Sequence, residues 1–219
     1  TSAPGIQNSF VNAGDNVSVT VTFSENSTVT GTPQLTLAVG EDNHTADYTS
    51  SGSGATTKVF KYTIQAGDND TNGISIRANA LALNSGTIRD AAGNYATNLN
   101  HIAVSDNADY MVDTTPPTVN SVGITSATTG MQNSFVNAND VVSVAATFSE
   151  RVIVVSGTPT LTLVVGSTDR TATYASGSWT SGSGSTPLVF LYTIRAGDND
   201  TNGISIRANV LALNSGTIS

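Results

Sequence analysis

The chain of 219 residues contains no cysteine, so in a secreted setting its stability must come from packing or from metal rather than from disulfides. Basic residues are scarce: 8 Lys and Arg stand against 16 Asp and Glu, a formal charge of -8. A nucleic-acid partner needs clustered Lys and Arg for its phosphates, and an anionic membrane surface needs the same, so both are excluded. No apolar run approaches the roughly 18 residues of a membrane-spanning helix, and Thr1 opens directly into polar sequence with no signal-peptide pattern. The expectation is a soluble fragment of a longer protein.

Runs rich in Leu, Glu, Lys and Ala are also missing, which excludes long helices. Catalytic signatures are absent too. There is no Gly-x-Ser-x-Gly, Walker or His-Glu-x-x-His pattern, and the two histidines, His44 and His101, read as isolated solvated loop residues. The many serines lack a candidate base, so an enzyme is not expected.

What the chain does hold is a repeat. Ala66-Gly-Asp-Asn-Asp-Thr-Asn-Gly-Ile-Ser-Ile-Arg-Ala-Asn79 returns unchanged as residues 196 to 209, and the identity runs on to Ile88 and Ile218 with only Ala80 and Val210 differing. Gln7 to Ala13 matches Gln132 to Ala138, Thr22 to Glu25 matches Thr147 to Glu150, and Gly31 to Pro33 matches Gly157 to Pro159. Small insertions near Ile153 and before Phe190 separate the matched blocks, as loops between strands tolerate.

Within each copy, apolar residues alternate with Ser and Thr: Val17, Val19, Val21 and Phe23; Leu35, Leu37 and Val39; Phe60, Tyr62 and Ile64, with counterparts in the second copy. Period-two alternation on several short segments separated by turn clusters predicts an all-β fold of tandem antiparallel sandwiches. Three segments follow: a first sandwich over 1–112 lacking its first strand, a Pro-stiffened linker over 113–118, and a second sandwich over 119–219 lacking its last strands. Pro116 and Pro117 fix φ and restrict the residue before each, which makes the connector stiff. The missing edge strands reflect either the phase of the repeat or a strand donated by a neighbouring chain.

Asp68-Asn-Asp-Thr-Asn-Gly73 and Asp198-Asn-Asp-Thr-Asn-Gly203 place oxygen ligands at alternate positions before a turn glycine, as in the first half of a calcium loop. The twelfth position is Asn79 or Asn209 rather than Glu, so this is no EF-hand and further ligands must come from elsewhere. An Asx turn held by its own backbone is the competing explanation. If the strands run up and down in order, Asp113 and Glu150 fall near the first loop. The candidate Ca2+ ligands are therefore Asp68, Asp70, Asn72, Asp113 and Glu150, with Asp198, Asp200, Asn202 and Glu25 as their counterparts in the other copy. Asp90, in the Arg89 to Asn94 turn, reads as a hairpin cap. Trp179, in a Gly/Ser-rich tip, could stack on a sugar or pack over its own loop.

The ordered set Thr-Phe-Ser-Glu, Gly-Thr-Pro-x-Leu-Thr-Leu, Phe-x-Tyr-Thr-Ile, Ala-Gly-Asp-Asn-Asp-Thr-Asn-Gly-Ile, Arg-Asp-Ala-Ala-Gly-Asn and Val-Asp-Thr-Thr-Pro-Pro resembles the immunoglobulin-like and cadherin-like repeats of giant bacterial surface proteins. These include the extender regions of calcium-dependent adhesins and swimming-motility-type surface proteins. The resemblance spans essentially the whole chain. It implies an extracellular, cell-surface array, stiffened by calcium at Asp68, Asp70 and Asp113, whose partners are neighbouring repeats of the same polypeptide. A self-assembling filament or sheath subunit completed by strand exchange between copies, and a carbohydrate-binding module using Trp179, are the alternative expectations.

Overall fold

A computed structural model of the chain describes residues 9–49, 55–127, 135–177 and 187–218. It is all-β, with no α-helix among the described residues and one 3-10 turn at Ala108–Tyr110. The chain divides into two compact units, Thr1–Thr115 and Pro116–Ser219. That division falls inside the predicted linker, but the linker's first residue, Asp113, belongs to the last strand of the first unit.

The first unit contains β1 (Phe10–Val11), β2 (Asn16–Thr22), β3 (Ser27–Thr30), β4 (Gln34–Val39), β5 (Asp42–Thr49), β6 (Thr57–Thr63), β7 (Asn69–Asp70), β8 (Leu81–Ala82), β9 (Thr87–Asp90) and β10 (Met111–Asp113). They form a five-stranded sheet in the order β2-β6-β5-β4-β8, a three-stranded sheet β1-β10-β7 and the pair β3-β9. The second unit contains β11 (Val119–Ala127), β12 (Val141–Phe148), β13 (Val154–Ser156), β14 (Thr160–Val165), β15 (Thr168–Ser176), β16 (Leu188–Thr193), β17 (Ser205–Ala212) and β18 (Thr217–Ile218). Its main sheet runs β11-β12-β16-β15-β14-β17, with β13-β18 as a separate pair.

Each unit closes over its own core, as stacked sheets do when one face of every strand is apolar. The first core gathers Leu35, Leu37, Phe60, Tyr62 and Ile64 from the large sheet with Val11, Val112 and Ile74 from the other side. The second gathers Leu161, Leu163, Phe190, Tyr192 and Ile194 at the matching positions. Registers agree as well. Leu37 lies opposite His44 and Leu163 opposite Arg170. Tyr48 meets Phe60 edge-on at 5.9 Å and Tyr174 meets Phe190 at 6.0 Å.

The units differ in their strand pairings. Among the described residues β2 pairs with β6 alone, whereas β12 lies between β11 and β16. The Asp-rich stretch is β7 in the first unit and, among the described residues, has no strand pairing in the second.

On the core-facing side of β6, Lys58, Phe60 and Tyr62 are all buried, and β16 presents Leu188, Phe190 and Tyr192 there. Lys58 is 1% exposed and donates from Nζ to the Ser27 and Ala55 carbonyls. A buried ammonium is tolerated only where acceptors replace water, and these two carbonyls would themselves be left without it. Lys58→Met is therefore expected to destabilise the first unit by about 1–3 kcal/mol. Leu188→Met in the second unit should cost less than about 1.5 kcal/mol, since it conserves volume and strands no polar group. Hydrogen exchange of the β6 and β16 amides reads the two units separately.

Candidate functional site

The Asp-rich loop begins where the chain leaves β6, and its first carboxylate turns back on that strand. Asp68 Oδ2 accepts from the Gln65 amide at 2.8 Å and from the Tyr62 hydroxyl at 2.6 Å. The Asp68 amide donates to the Gln65 carbonyl at 3.1 Å, closing the turn. Asp70 faces the other way. Its Oδ1 accepts from the Asn72 and Gly73 amides at 3.2 and 2.8 Å, and its Oδ2 accepts from the Gly40 amide at 2.7 Å. Gly40 sits in the β4–β5 turn at φ 59°, and a Cβ there would run into the Asn69 carbonyl. Only glycine lets the two backbones approach closely enough for that bond.

The second unit repeats these contacts atom for atom. Asp198 Oδ2 accepts from the Arg195 amide at 2.9 Å and the Tyr192 hydroxyl at 2.5 Å. Asp200 accepts from Asn202, Gly203 and Gly166 at 3.1, 2.8 and 2.8 Å. The Gly166 amide holds Asp200 below the usual carboxylate range, helped by Asn202 and Gly203 and opposed by partial burial.

What differs is the side chain set against the first carboxylate's other oxygen. In the second unit Arg170 grips Asp198 Oδ1 through Nε at 2.8 Å and a terminal nitrogen at 2.5 Å, with the aspartate side chain only 1% exposed. In the first unit the same register position carries His44, whose Nε2 lies 3.4 Å from Asp68 Oδ1 and whose Nδ1 meets the Tyr62 hydroxyl at 2.8 Å. His44 is therefore a strand residue tied into the loop, not the solvated loop residue expected from sequence. His101 is likewise engaged, accepting from the Ala80 amide at 2.8 Å.

Burial raises the pKa of Tyr192, and its bond to Asp198 raises it further. The same two causes push the Tyr62 hydroxyl well above the ordinary tyrosine range. Burial also pulls Asp198 upward, but the bonds from Tyr192, the Arg195 amide and Arg170 together outweigh it and leave the carboxyl below its ordinary value.

The other candidate ligands are described each within its own unit. Asn72 gives its side-chain amide to Asp106 at 2.6 Å and is exposed. Asp113 lies opposite Asn69 in the β10–β7 pairing and accepts from the Thr115 amide at 3.0 Å. Glu25 is exposed just beyond β2, Glu150 follows β12 in the second unit, and Asn202 is exposed with its amide on Asp200. Asp90 closes its turn by accepting from the Asn94 side chain and amide at 2.8 and 2.7 Å. Trp179 lies outside the described residues.

A calcium ion collects six to eight oxygens on one point. Here both oxygens of Asp70 and of Asp200 already accept N–H donors, and Asp198 already holds a guanidinium where the ion's charge would sit. Among the described residues no three His, Cys, Asp or Glu side chains converge as a metal would require. As arranged, an ion at Asp198 would have to displace the Arg170 guanidinium, whereas the oxygens of Asp70 and Asp200 keep further lone pairs beside their amide partners. The geometry fits an Asx-turn clamp that fastens the loop to the neighbouring β-hairpin.

Tyr62, Gly40 and His44, with Tyr192, Gly166 and Arg170, are the partners that motif reading passed over. One signal was present: a tyrosine stands six positions before the first loop aspartate in both copies, at Tyr62 and Asp68 and at Tyr192 and Asp198. Comparison of the chain with protein-family models, curated proteins and solved structures returns no match.

Asp198 has a depressed folded-state pKa, so its stabilisation is complete above the ordinary carboxylate range and is lost as pH falls through the folded value. Asp198→Asn should cost the second unit roughly 2–3 kcal/mol at neutral pH. Urea melts of wild type and variant from neutral to acid should converge only once the pH has fallen below the depressed folded-state pKa of Asp198, where both lack the charge.

Proposed function

We propose that the chain is a non-catalytic structural segment of a large extracellular surface protein, a spacer that holds another module away from a cell. The observation that carries this reading is the inward use of the repeated loop. Its aspartates accept from backbone amides and a tyrosine of their own unit in both copies. A loop kept identical for the sake of an internal clamp suits modules selected to be uniformly firm. Modules that read different ligands have reason to diverge at their loops.

In this reading stiffness within each unit comes from carboxylate–amide bonds, which are stronger than neutral ones. Calcium enters the proposal as a ligand that must compete with those donors. The adhesin-like likeness of the motifs supports the extracellular setting, and the neighbours of the segment are further repeats of the same polypeptide.

Thermal unfolding of the full chain in calcium and in EDTA is the direct test. The clamp reading expects midpoints that agree within about 2 °C, whereas an ion bound at a hundred times its Kd would add roughly 2.7 kcal/mol and move a midpoint by several degrees. Sedimentation over a wide concentration range tests the spacer itself. A monomer throughout supports it, and open-ended polymers would replace it with the filament reading.

A further inference from the structure

Each Asp-rich loop closes on the pair Asn-Gly, at Asn72–Gly73 and at Asn202–Gly203, and the sequence holds this pair nowhere else. Asn-Gly is the asparagine link most open to spontaneous deamidation. Glycine has no β-carbon to shield its nitrogen, so that nitrogen can reach the carboxamide of the asparagine before it. The glycine nitrogen bonds to Cγ, the Cγ–Nδ2 bond breaks, and ammonia leaves with the proton of the glycine amide. Water then opens the succinimide at either carbonyl and gives aspartate or isoaspartate, the latter with one more methylene in the backbone.

In this fold the attacking atom is occupied. The Gly73 amide donates to Asp70 Oδ1 at 2.8 Å, and the Gly203 amide donates to Asp200 Oδ1 at 2.8 Å. An amide attacks only after giving up its proton. One that donates to a carboxylate is harder to deprotonate, since the nitrogen anion would then face a like charge. The same oxygens accept the Asn72 and Asn202 amides at 3.2 and 3.1 Å, which fixes the amides on both sides of each asparagine. In the first unit the carboxamide is held as well, because Asn72 Nδ2 donates to Asp106 Oδ2 at 2.6 Å. The glycine cannot be exchanged freely for a slower-reacting residue, because Gly73 and Gly203 both stand at φ +101°.

We propose that Asn72 and Asn202 are deamidation sites kept closed by the carboxylates of Asp70 and Asp200. The clamp that fastens the loop to its hairpin thereby also preserves the loop's covalent structure, and modification follows opening of the clamp. Conversion has a structural consequence in the first unit. A carboxylate at position 72 cannot donate to Asp106 and meets it as a like charge, so that link is lost. Isoaspartate lengthens the backbone between Asp70 and Gly73 and moves the Gly73 amide off Asp70 Oδ1. Deamidation therefore loosens the loop and leaves a covalent record of the time it has spent open. The inference rests on contacts present in both units and is independent of the spacer reading.

The test is a time course of the full chain at neutral pH and physiological temperature, read by tryptic mass spectrometry. Residues 62–77 and 196–207 report the two sites as peptides of different mass. Both sites in the folded chain should convert at least about tenfold more slowly than synthetic peptides of the same sequences, as expected where a charge-assisted bond must first be broken. Asp200→Asn keeps an acceptor but removes its charge. It should speed conversion at Asn202 by about fivefold, the worth of a charge-assisted over a neutral hydrogen bond, and leave Asn72 at its wild-type rate. Asp70→Asn should do the reverse. Hydrogen exchange of the β6 and β16 amides verifies that the unit carrying the change is still folded, and the comparison with free peptides decides the matter if it is not. Two results would overturn the proposal: conversion of either site in the wild-type chain as fast as in its free peptide, or an unchanged rate at Asn202 in a folded Asp200→Asn unit.

Discussion

The fold of each unit depends on one carboxylate that reaches across from a loop to a hairpin. Asp70 binds the Gly40 amide with one oxygen and its own turn with the other, and Asp200 does the same with Gly166. A charged acceptor makes short, strong bonds to amides, and where it is shielded from water, as Asp70 is, leaving it without them is costly. The bond also requires two backbones to approach more closely than any β-carbon permits, which is why the receiving turn carries glycine at positive φ in both units. The course of the chain from the large sheet to the opposite side of the core therefore hangs on a few atoms.

The neighbouring aspartate shows how one frame accommodates different chemistry. Asp198 meets a guanidinium and Asp68 meets an imidazole, at the same register position opposite a buried leucine. The tyrosine beneath each keeps its proton, held there by burial and by the carboxylate it donates to. Lys58 and Leu188 make a similar contrast on the core face of the adjacent strand. The backbone pairings tolerate these exchanges because each polar group finds acceptors within its own unit.

The strands were legible from sequence because burial on one face of a pleated chain imposes a period of two, and Val17, Leu35, Leu37 and Phe60 display it plainly. The Asp-rich turn was legible as a turn for a similarly local reason, through Asx side chains that bond amides two or three residues on. The partners of that turn were not. His44 read as an isolated loop residue, yet the β4–β5 pairing brings it to Asp68. Asp113 read as part of a connector and closes β10 instead. Alternation within a strand carries no information about which strand lies beside it.

Local periodicity and turn chemistry thus determined that this chain is all-β, that its acidic loop repeats without change, and that a stiff proline pair follows the first unit. Only the tertiary structure decided what the acidic side chains touch and which strands lie beside one another. The reason is physical. Strand and turn propensities act over a few residues, whereas a carboxylate's partners are brought together by pairings across the sheet, over separations that no local pattern records.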